Sequence, residues 1–393
     1  MVVPELVFAF YPVLSDQDSA MSSMDAVALA QDLVRFPSLN PPGDEKACVE
    51  YVGRLLRGLG FSVESFDFVP NRPSLVAKVA GTFSDKPLCF TGHLDVVPIG
   101  SASWRYPPFE GVVADGALHG RGSCDMKSGI AAFIAATADL LKQGIRLRRG
   151  LTFVITAGEE SGCEGAFDLS RRRVLGEAEL LVVAEPTSNC PVIAHKGSLR
   201  LAVTARGTTA HSSMPEEGDN AISKAVKWIS CLQALSFDCS HPLLGPTTAV
   251  VTTITGGQNI NSVPDIARFT IDFRTLPADS HSGLQRELQT MFGEEAEIQV
   301  ITDFKGFSTP PDSPALRPLI DLLSRRFGRP PRLHGAPYYT DASALVPGFA
   351  NVPTVVIGPG QSEQCHKTDE HCPVADIETA KEIYSELIRS MCL

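Results

Sequence analysis

An α/β fold in two parts is what this 393-residue sequence predicts, and three observations lead there. Several apolar runs end in polar residues, the arrangement by which an open α/β sheet gathers ligand-binding side chains at its strand ends. The segment from about 197 to 304 has a different order: strand, helix, strand, strand, helix, strand. The last strand of the first pattern comes only after that segment, so residues 1–196 and 305–393 should fold together as one discontinuous domain around an insertion at 197–304.

In chain order, the apolar run at 87–91 reads as a buried strand ending at His93. Asp125 lies just ahead of a helical pattern (Met126, Ile130, Phe133, Ile134, Leu140, Leu141), which places it near a helix N-terminus. Runs at 151–156 and 180–184 read as strands before Glu159 and Glu185, and the run at 352–357 leads through Gly358 and Gly360 towards His366. Within the insertion the expected elements are strands at 198–205, 248–255, 267–274 and 297–303, with helices at 220–235 and 282–292. That βαββαβ order makes a small antiparallel sheet with two helices on one face, an α+β ferredoxin-like layout beside a mixed-sheet α/β domain. No internal repeat is present, and the Pro-rich turns near 310 and 330 are the nearest thing to low complexity.

Composition limits the function classes. A chain 44% hydrophobic and 20% charged is ordinary for a soluble globular protein. A net charge of −11, with Arg171 to Arg173 the densest basic run, argues against a nucleic-acid partner. The ten cysteines include no Cys-x-x-Cys pair, and Cys231 with Cys239 or Cys365 with Cys372 lack zinc-finger spacing; free thiols in a reducing, cytoplasmic compartment are expected. The apolar stretch at 2–14 carries Glu5 in place of a positive leader region, with no cleavage site after it, and no run reaches the length of a membrane span. Met21 and Met24 stand just before the first convincing helix, so the first twenty residues read as a start-site artefact or a loose arm.

The polar stretches carry the chemistry. His93-Leu-Asp95, Asp125, Glu159-Glu160, Glu185 and His366 together offer two imidazoles and several carboxylates to one crevice, a donor set for two divalent ions with one carboxylate between them. Singly they are bland: His93 alone reads as a surface or core residue, Asp125 as a helix cap, and Glu159-Glu160 as a solvated turn. In extended chain adjacent side chains point to opposite sides, so Glu159 and Glu160 should have different tasks, one binding metal and the other handling protons.

Six ordered stretches, Gly92-His-Leu-Asp-Val-Val-Pro98, Gly120-Arg-Gly-Ser-Cys-Asp-Met-Lys-Ser-Gly129, Ala157-Gly-Glu-Glu160, Glu185-Pro-Thr-Ser188, Ala210-His-Ser-Ser213 and His366-Lys-Thr-Asp-Glu370, resemble the M20 metallopeptidase family, which includes acetylornithine deacetylase, succinyl-diaminopimelate desuccinylase, aminoacylase and glutamate carboxypeptidase. The resemblance runs from about residue 25 to the end and implies a dinuclear-metal amidohydrolase. By it, His93, Asp125 and Glu185 match the ligands of one zinc, and Asp125, Glu160 and His366 those of the other, with Asp125 bridging. Asp95 matches the acid that orients His93. Glu159 matches the general base that takes a proton from the water between the metals and returns it to the leaving amine.

The same resemblance makes His211 the histidine that reaches from the small domain, often across a dimer interface, to stabilise the oxyanion; on its own it reads as a polar residue in a turn. Asn261 and Arg274 resemble the pair that binds a substrate carboxylate, since the guanidinium fork accepts one bidentately; an exposed edge-strand arginine is the plain alternative. The small domain is the family's dimerisation surface, so a homodimer is expected. The 185–197 segment is closest to the acetylornithine deacetylase form, which points to a small N-acyl amino acid. Tyr338-Tyr339-Thr340-Asp341 departs from that form, and Asp341 is expected to meet an ammonium or amide of the substrate. Zinc, cobalt and manganese all suit the ligands. Two rivals stay open: hydrolysis of another C–N bond, such as an aromatic amine, a ureido group or a dipeptide, which cleft-facing tyrosines would favour, and a metal-free binding protein, which a missing ligand would signal.

Overall fold

The computed structural model describes residues 23–393, so the apolar stretch at 2–14 and the expected arm over the first twenty residues lie outside the described residues. The chain opens with α1 (Ala26–Val34) and α2 (Lys46–Gly58), then lays down the hairpin β1 (Ser62–Val69) and β2 (Arg72–Val79) and the buried strand β3 (Leu88–His93). A short ribbon, β4 (Val112–Ala114) and β5 (Ala117–His119), precedes α3 (Ser128–Lys142), β6 (Leu151–Thr156), α4 (Glu164–Arg172), β7 (Leu180–Val183) and β8 (Val192–His195). Next come β9 (Gly197–Arg206), α5 (Ala221–Gln233), the small pair β10 (Ser240–His241) and β11 (Gly245–Pro246), β12 (Thr248–Gly256), β13 (Ile266–Thr275), α6 (His281–Phe292) and β14 (Glu297–Phe304). The chain returns through β15 (Phe307–Ser308), α7 (Arg317–Phe327), β16 (His334–Ala336), α8 (Ala342–Gly348), β17 (Thr354–Val356), β18 (His371–Pro373) and α9 (Val374–Cys392).

The large sheet is mixed, with order β1-β2-β6-β3-β7-β17-β8-β15 and β16 beside β8. Its centre is parallel: β6 with β3, β3 with β7, and β7 with β17. All residues of β3, β6 and β7 are buried, as strands covered on both faces must be. Apolar nearly all round, α3 is the core helix, and its Phe133 ring meets Phe90 of β3 at 5.5 Å and Phe153 of β6 at 4.8 Å. Tyr384 of α9 closes on Phe90, and its hydroxyl donates to the Ile357 carbonyl at 2.6 Å. Because the central strands run the same way, their C-terminal ends share one edge, and His93 and the Glu159 turn follow directly from it.

The second sheet is antiparallel, with order β12-β13-β9-β14. Leu199, Leu201 and Val203 of β9 and Phe269, Ile271 and Phe273 of β13 are buried on the face covered by Trp228 of α5 and Phe292 of α6, whose rings stack at 5.5 Å. Each helix starts at a capping side chain: Asn220 accepts from the Ser223 amide, and Ser280 from the Gly283 amide. The opposite, polar face of this sheet includes Arg200, Asp272 and Arg274.

Two element boundaries differ from the sequence expectation. The strand expected at 352–357 narrows to β17, because Pro353 brings no N–H to the ladder and the Gly358 carbonyl turns away to accept from the Thr187 and Asn189 amides. Asp125 does not cap a helix; α3 starts at Ser128, after a turn over Ser123–Lys127 whose amides are held from outside. No helix among the described residues is long and apolar enough to cross a membrane, and all ten cysteines are free thiols.

Candidate metal centre

The last residue of β3, His93, donates from Nδ1–H to the Asp95 carbonyl at 2.9 Å, which leaves the Nε2 lone pair directed at the cleft. That Nε2 lies 3.1 Å from Asp125 Oδ1 and 3.7 Å from Glu185 Oε1. On the other side of Asp125, His366 Nε2 lies 3.4 Å from Asp125 Oδ2 and 3.0 Å from Glu160 Oε2. Asp125 thus turns one oxygen to each imidazole. Ligand atoms placed tetrahedrally about 2.05 Å from a single ion are roughly 3.3 Å apart, so both clusters have the spacing of a first coordination shell.

The electrostatics agree with a cation-binding role. Burial and neighbouring acids push Glu159 and Glu185 well above the usual carboxylate range, and Glu160 moves the same way. Hydrogen bonding to Asp125 and Glu160 raises His366 to about 10. Burial would raise Asp125 too, but the two histidines outweigh it and hold its carboxyl well below that range. Acids crowded this closely are costly to ionise together, and divalent ions remove that cost while asking each imidazole to be neutral. The residues fit two such ions.

What holds these ligands was only partly legible in the sequence. Asp95 was expected to orient His93 through its carboxylate, but that oxygen is 3.7 Å from Nδ1 and the main-chain carbonyl does the orienting. The Asp95 carboxylate instead accepts from the Glu159 and Glu160 amides at 3.1 and 3.0 Å and from Asn40 Nδ2 at 2.8 Å, fixing the turn that carries both glutamates. Glu370, fully buried, accepts from the amides of Gly122, Cys124 and Asp125 and from Arg121 at 2.6 Å. These bonds hold the Asp125 turn in place of a helix cap. Acceptors spent on main-chain amides have no spacing signature, which is why sequence reasoning left Glu370 without a role.

Glu159 and Glu160 are not in extended chain. The Glu159 carbonyl accepts from the Gly162 and Cys163 amides at 2.9 Å, so the pair sits in a tight turn, and their different surroundings come from that turn and not from strand alternation. Glu160 faces His366, whereas Glu159 Oε1 accepts a weak bond from the Cys163 thiol at 3.7 Å. Asp341 lies behind them. It is 2% exposed, accepts from Thr156 Oγ1 at 2.5 Å, and is absent from the cleft wall, which corrects the expectation that it meets substrate. Its position at the start of α8 turns the carboxylate inward, under the end of β6.

The cleft over the cluster measures about 410 Å³. Asp125, Glu159, Glu160, Glu185 and His366 line it, and so do Arg274, Tyr338 and Tyr339. Arg200 lines it as well and was missed; its signal is the alternation of Leu199, Leu201 and Val203 with Arg200, Ala202 and Thr204 along β9, which puts it on the polar face. His211 and Asn261 are not brought to this cleft. They are exposed neighbours in two loops, joined by the Ser212 amide donating to the Asn261 carbonyl at 3.0 Å. Arg200 and Arg274 sit at one end of β9 and β13, and these loops attach at the other, about 20 Å along the strands. Within one chain Asn261 therefore lies apart from Arg274, as His211 does from the acidic cluster. Arg274 is also no edge-strand residue, since β13 lies inside its sheet.

The chain is similar to known proteins in sequence and in fold. The description "Peptidase family M20/M25/M40" matches residues 89–390. The chain is 32% identical over 389 residues to a succinyl-diaminopimelate desuccinylase of Gluconacetobacter diazotrophicus, covering 94% of this chain and 98% of that protein. Among solved structures, aminopeptidase PepT from Bacillus cereus superposes with a TM-score of 0.78 at 23% identity, covering 94% of this chain and 98% of PepT. The Bacillus subtilis YXEP protein, a dinuclear metal binding peptidase, superposes at 0.67 with 17% identity, covering 92% of this chain and 96% of its own. The structural likenesses show a shared fold.

Proposed function

The chain belongs to peptidase family M20/M25/M40 and is a metal-dependent hydrolase of amide bonds, and from that premise we propose that it cleaves the amide of a small N-acyl amino acid whose acyl group ends in a carboxylate. The observation behind this reading is the placement of Asp125 between two imidazoles, on a cleft that also presents guanidinium groups. The expected acetylornithine-type substrate gives way to a succinyl-type one, since the desuccinylase relatives match nearly the whole chain.

His93, Asp125 and Glu185 would hold one ion and Asp125, Glu160 and His366 the other; zinc suits the set, and cobalt or manganese would also be accepted. When bound, such ions polarise the amide carbonyl and acidify water. Glu159, buried at the cleft wall, takes the water proton at a carboxylate oxygen and delivers it to the leaving nitrogen. Arg274 holds the α-carboxylate of the substrate. His211 is too far along the inserted sheet to act in its own cleft, so it serves the cleft of a second copy as oxyanion donor. The exposed apolar residue Ile254 on edge strand β12, with Val226 of α5 on the same side of the sheet, supplies the surface for that homodimer. Free thiols throughout suit a cytoplasmic setting.

A second reading, cleavage of a C–N bond beside an aromatic group, draws on Tyr338 and Tyr339 in the cleft wall. It is the weaker one, because the Tyr339 ring is already packed edge-on by Phe304 at 5.0 Å and covered by Arg274 at 6.0 Å. Mass-spectrometric turnover of a panel decides between them: N-succinyl and N-acetyl amino acids, dipeptides and aromatic amides, each offered to zinc- or cobalt-loaded protein. Release of amino acid from the N-acyl members is expected. Cleavage confined to the aromatic members would replace the substrate class.

A further inference from the structure

Arg200 has no assigned task in the reaction, yet it faces the cleft. On β9 it stands directly opposite Asp272 of β13, and Arg274 lies two residues further along β13 on the same face. Arg200 Nε donates to Asp272 Oδ2 at 3.4 Å, and Arg274 Nη2 donates to the same oxygen at 3.2 Å. One carboxylate oxygen therefore serves two guanidiniums. The second oxygen of Asp272 is buried and takes no hydrogen bond from the described residues, so neither arginine is closed into a bidentate pair. Both side chains remain partly open to solvent, at 38% and 30%, and of the five N–H donors on each guanidinium most have no acceptor among the described residues.

The acids that line the cleft, Asp125, Glu159, Glu160 and Glu185, are those of the metal cluster and its base; the arginine pair keeps a net positive charge beside them. A substrate with a single carboxylate satisfies one of these guanidiniums. Satisfying both takes two carboxylates flanking the scissile amide.

We propose that Arg200 is a specificity-determining residue that binds the terminal carboxylate of the acyl group while Arg274 takes the α-carboxylate, an inference that rests on the amide hydrolysis above. Three substrates built on one amino acid test it: its N-succinyl derivative, the same compound with the acyl terminus as a carboxamide, and its N-acetyl derivative. The unaltered enzyme should prefer the carboxylate over the carboxamide by about 10- to 100-fold in kcat/KM, mostly through KM, the size of a charged hydrogen bond. Arg200→Gln should bring that preference close to unity, and Arg200→Lys should restore part of it. A preference retained in Arg200→Gln, or none in the unaltered enzyme, would overturn the assignment. Calorimetric titration with succinate gives a readout independent of turnover, with affinity expected to fall at least about tenfold in Arg200→Gln; equal affinities would also overturn it. Failure to cleave any of the substrates would count against the hydrolase reading itself, and the succinate titration would still decide the role of Arg200.

Discussion

At the residue scale, the candidate metal site shows which side chains can be read from a sequence and which cannot. His93, Asp125, Glu160, Glu185 and His366 were expected in one crevice, and they lie within 3.0–3.7 Å of one another in a chain of contacts. Residues that act on the main chain were not foreseen, because any acid of the right reach can accept an amide proton. Glu370 is the clearest case. Replacing it with Gln leaves Arg121 buried without its anionic partner and loosens the Asp125 turn, so a loss of about 3–5 kcal/mol in urea unfolding is expected, together with weaker metal retention on dialysis. Stability within 1 kcal/mol of the parent would show that the pair is not a support. Glu159→Gln tests a separate function at the same site. It should lower kcat by about 10²–10⁴-fold while plasma mass spectrometry still finds two ions per chain, whereas retained turnover would remove Glu159 as the base.

At the element scale, the strands were legible because their ends are marked by polar residues and their middles are wholly apolar, as in β3 and β6. The βαββαβ order was legible for the opposite reason: period-two alternation along β9 and β13 separates a helix-covered face from a polar one. The turns between elements were less legible, since the Asp125 and Glu159 turns are set by contacts from residues far away in sequence. One strand carries a consequence for stability. His195, in β8, is buried against Phe307, and burial lowers its pKa from 6.5 to about 4. Well above pH 6.5 the residue is neutral in both folded and unfolded chains, so stability there does not depend on its protonation. As pH falls from 6.5 towards 4, only the unfolded chain takes up the proton, so stability is lost, by an amount on the order of 3 kcal/mol. Urea unfolding at pH 7.5 and 4.5 should show a smaller acid-induced loss in His195→Gln than in the parent; equal losses would exclude His195 as the source.

At the scale of the whole molecule, the insertion has two working ends. One places Arg200 and Arg274 over the metal cluster; the other carries His211 and Asn261 away from it. Sequence motifs name residues without saying which of them share a cleft, and here the length and direction of β9 decide that. In the proposed homodimer a second copy completes the site, so Ile254→Lys on the exposed edge of β12 should yield monomers in sedimentation and reduce turnover without removing metal. A monomeric parent would contradict this arrangement. The most direct test of the proposed dinuclear hydrolase is a metal titration of chelator-stripped protein, following cleavage of an N-succinyl amino acid and bound zinc together. Binding that saturates at two ions per chain, with activity rising alongside it, is the predicted result. Two bound ions with no amide cleaved, or cleavage undiminished in metal-free protein, would contradict it.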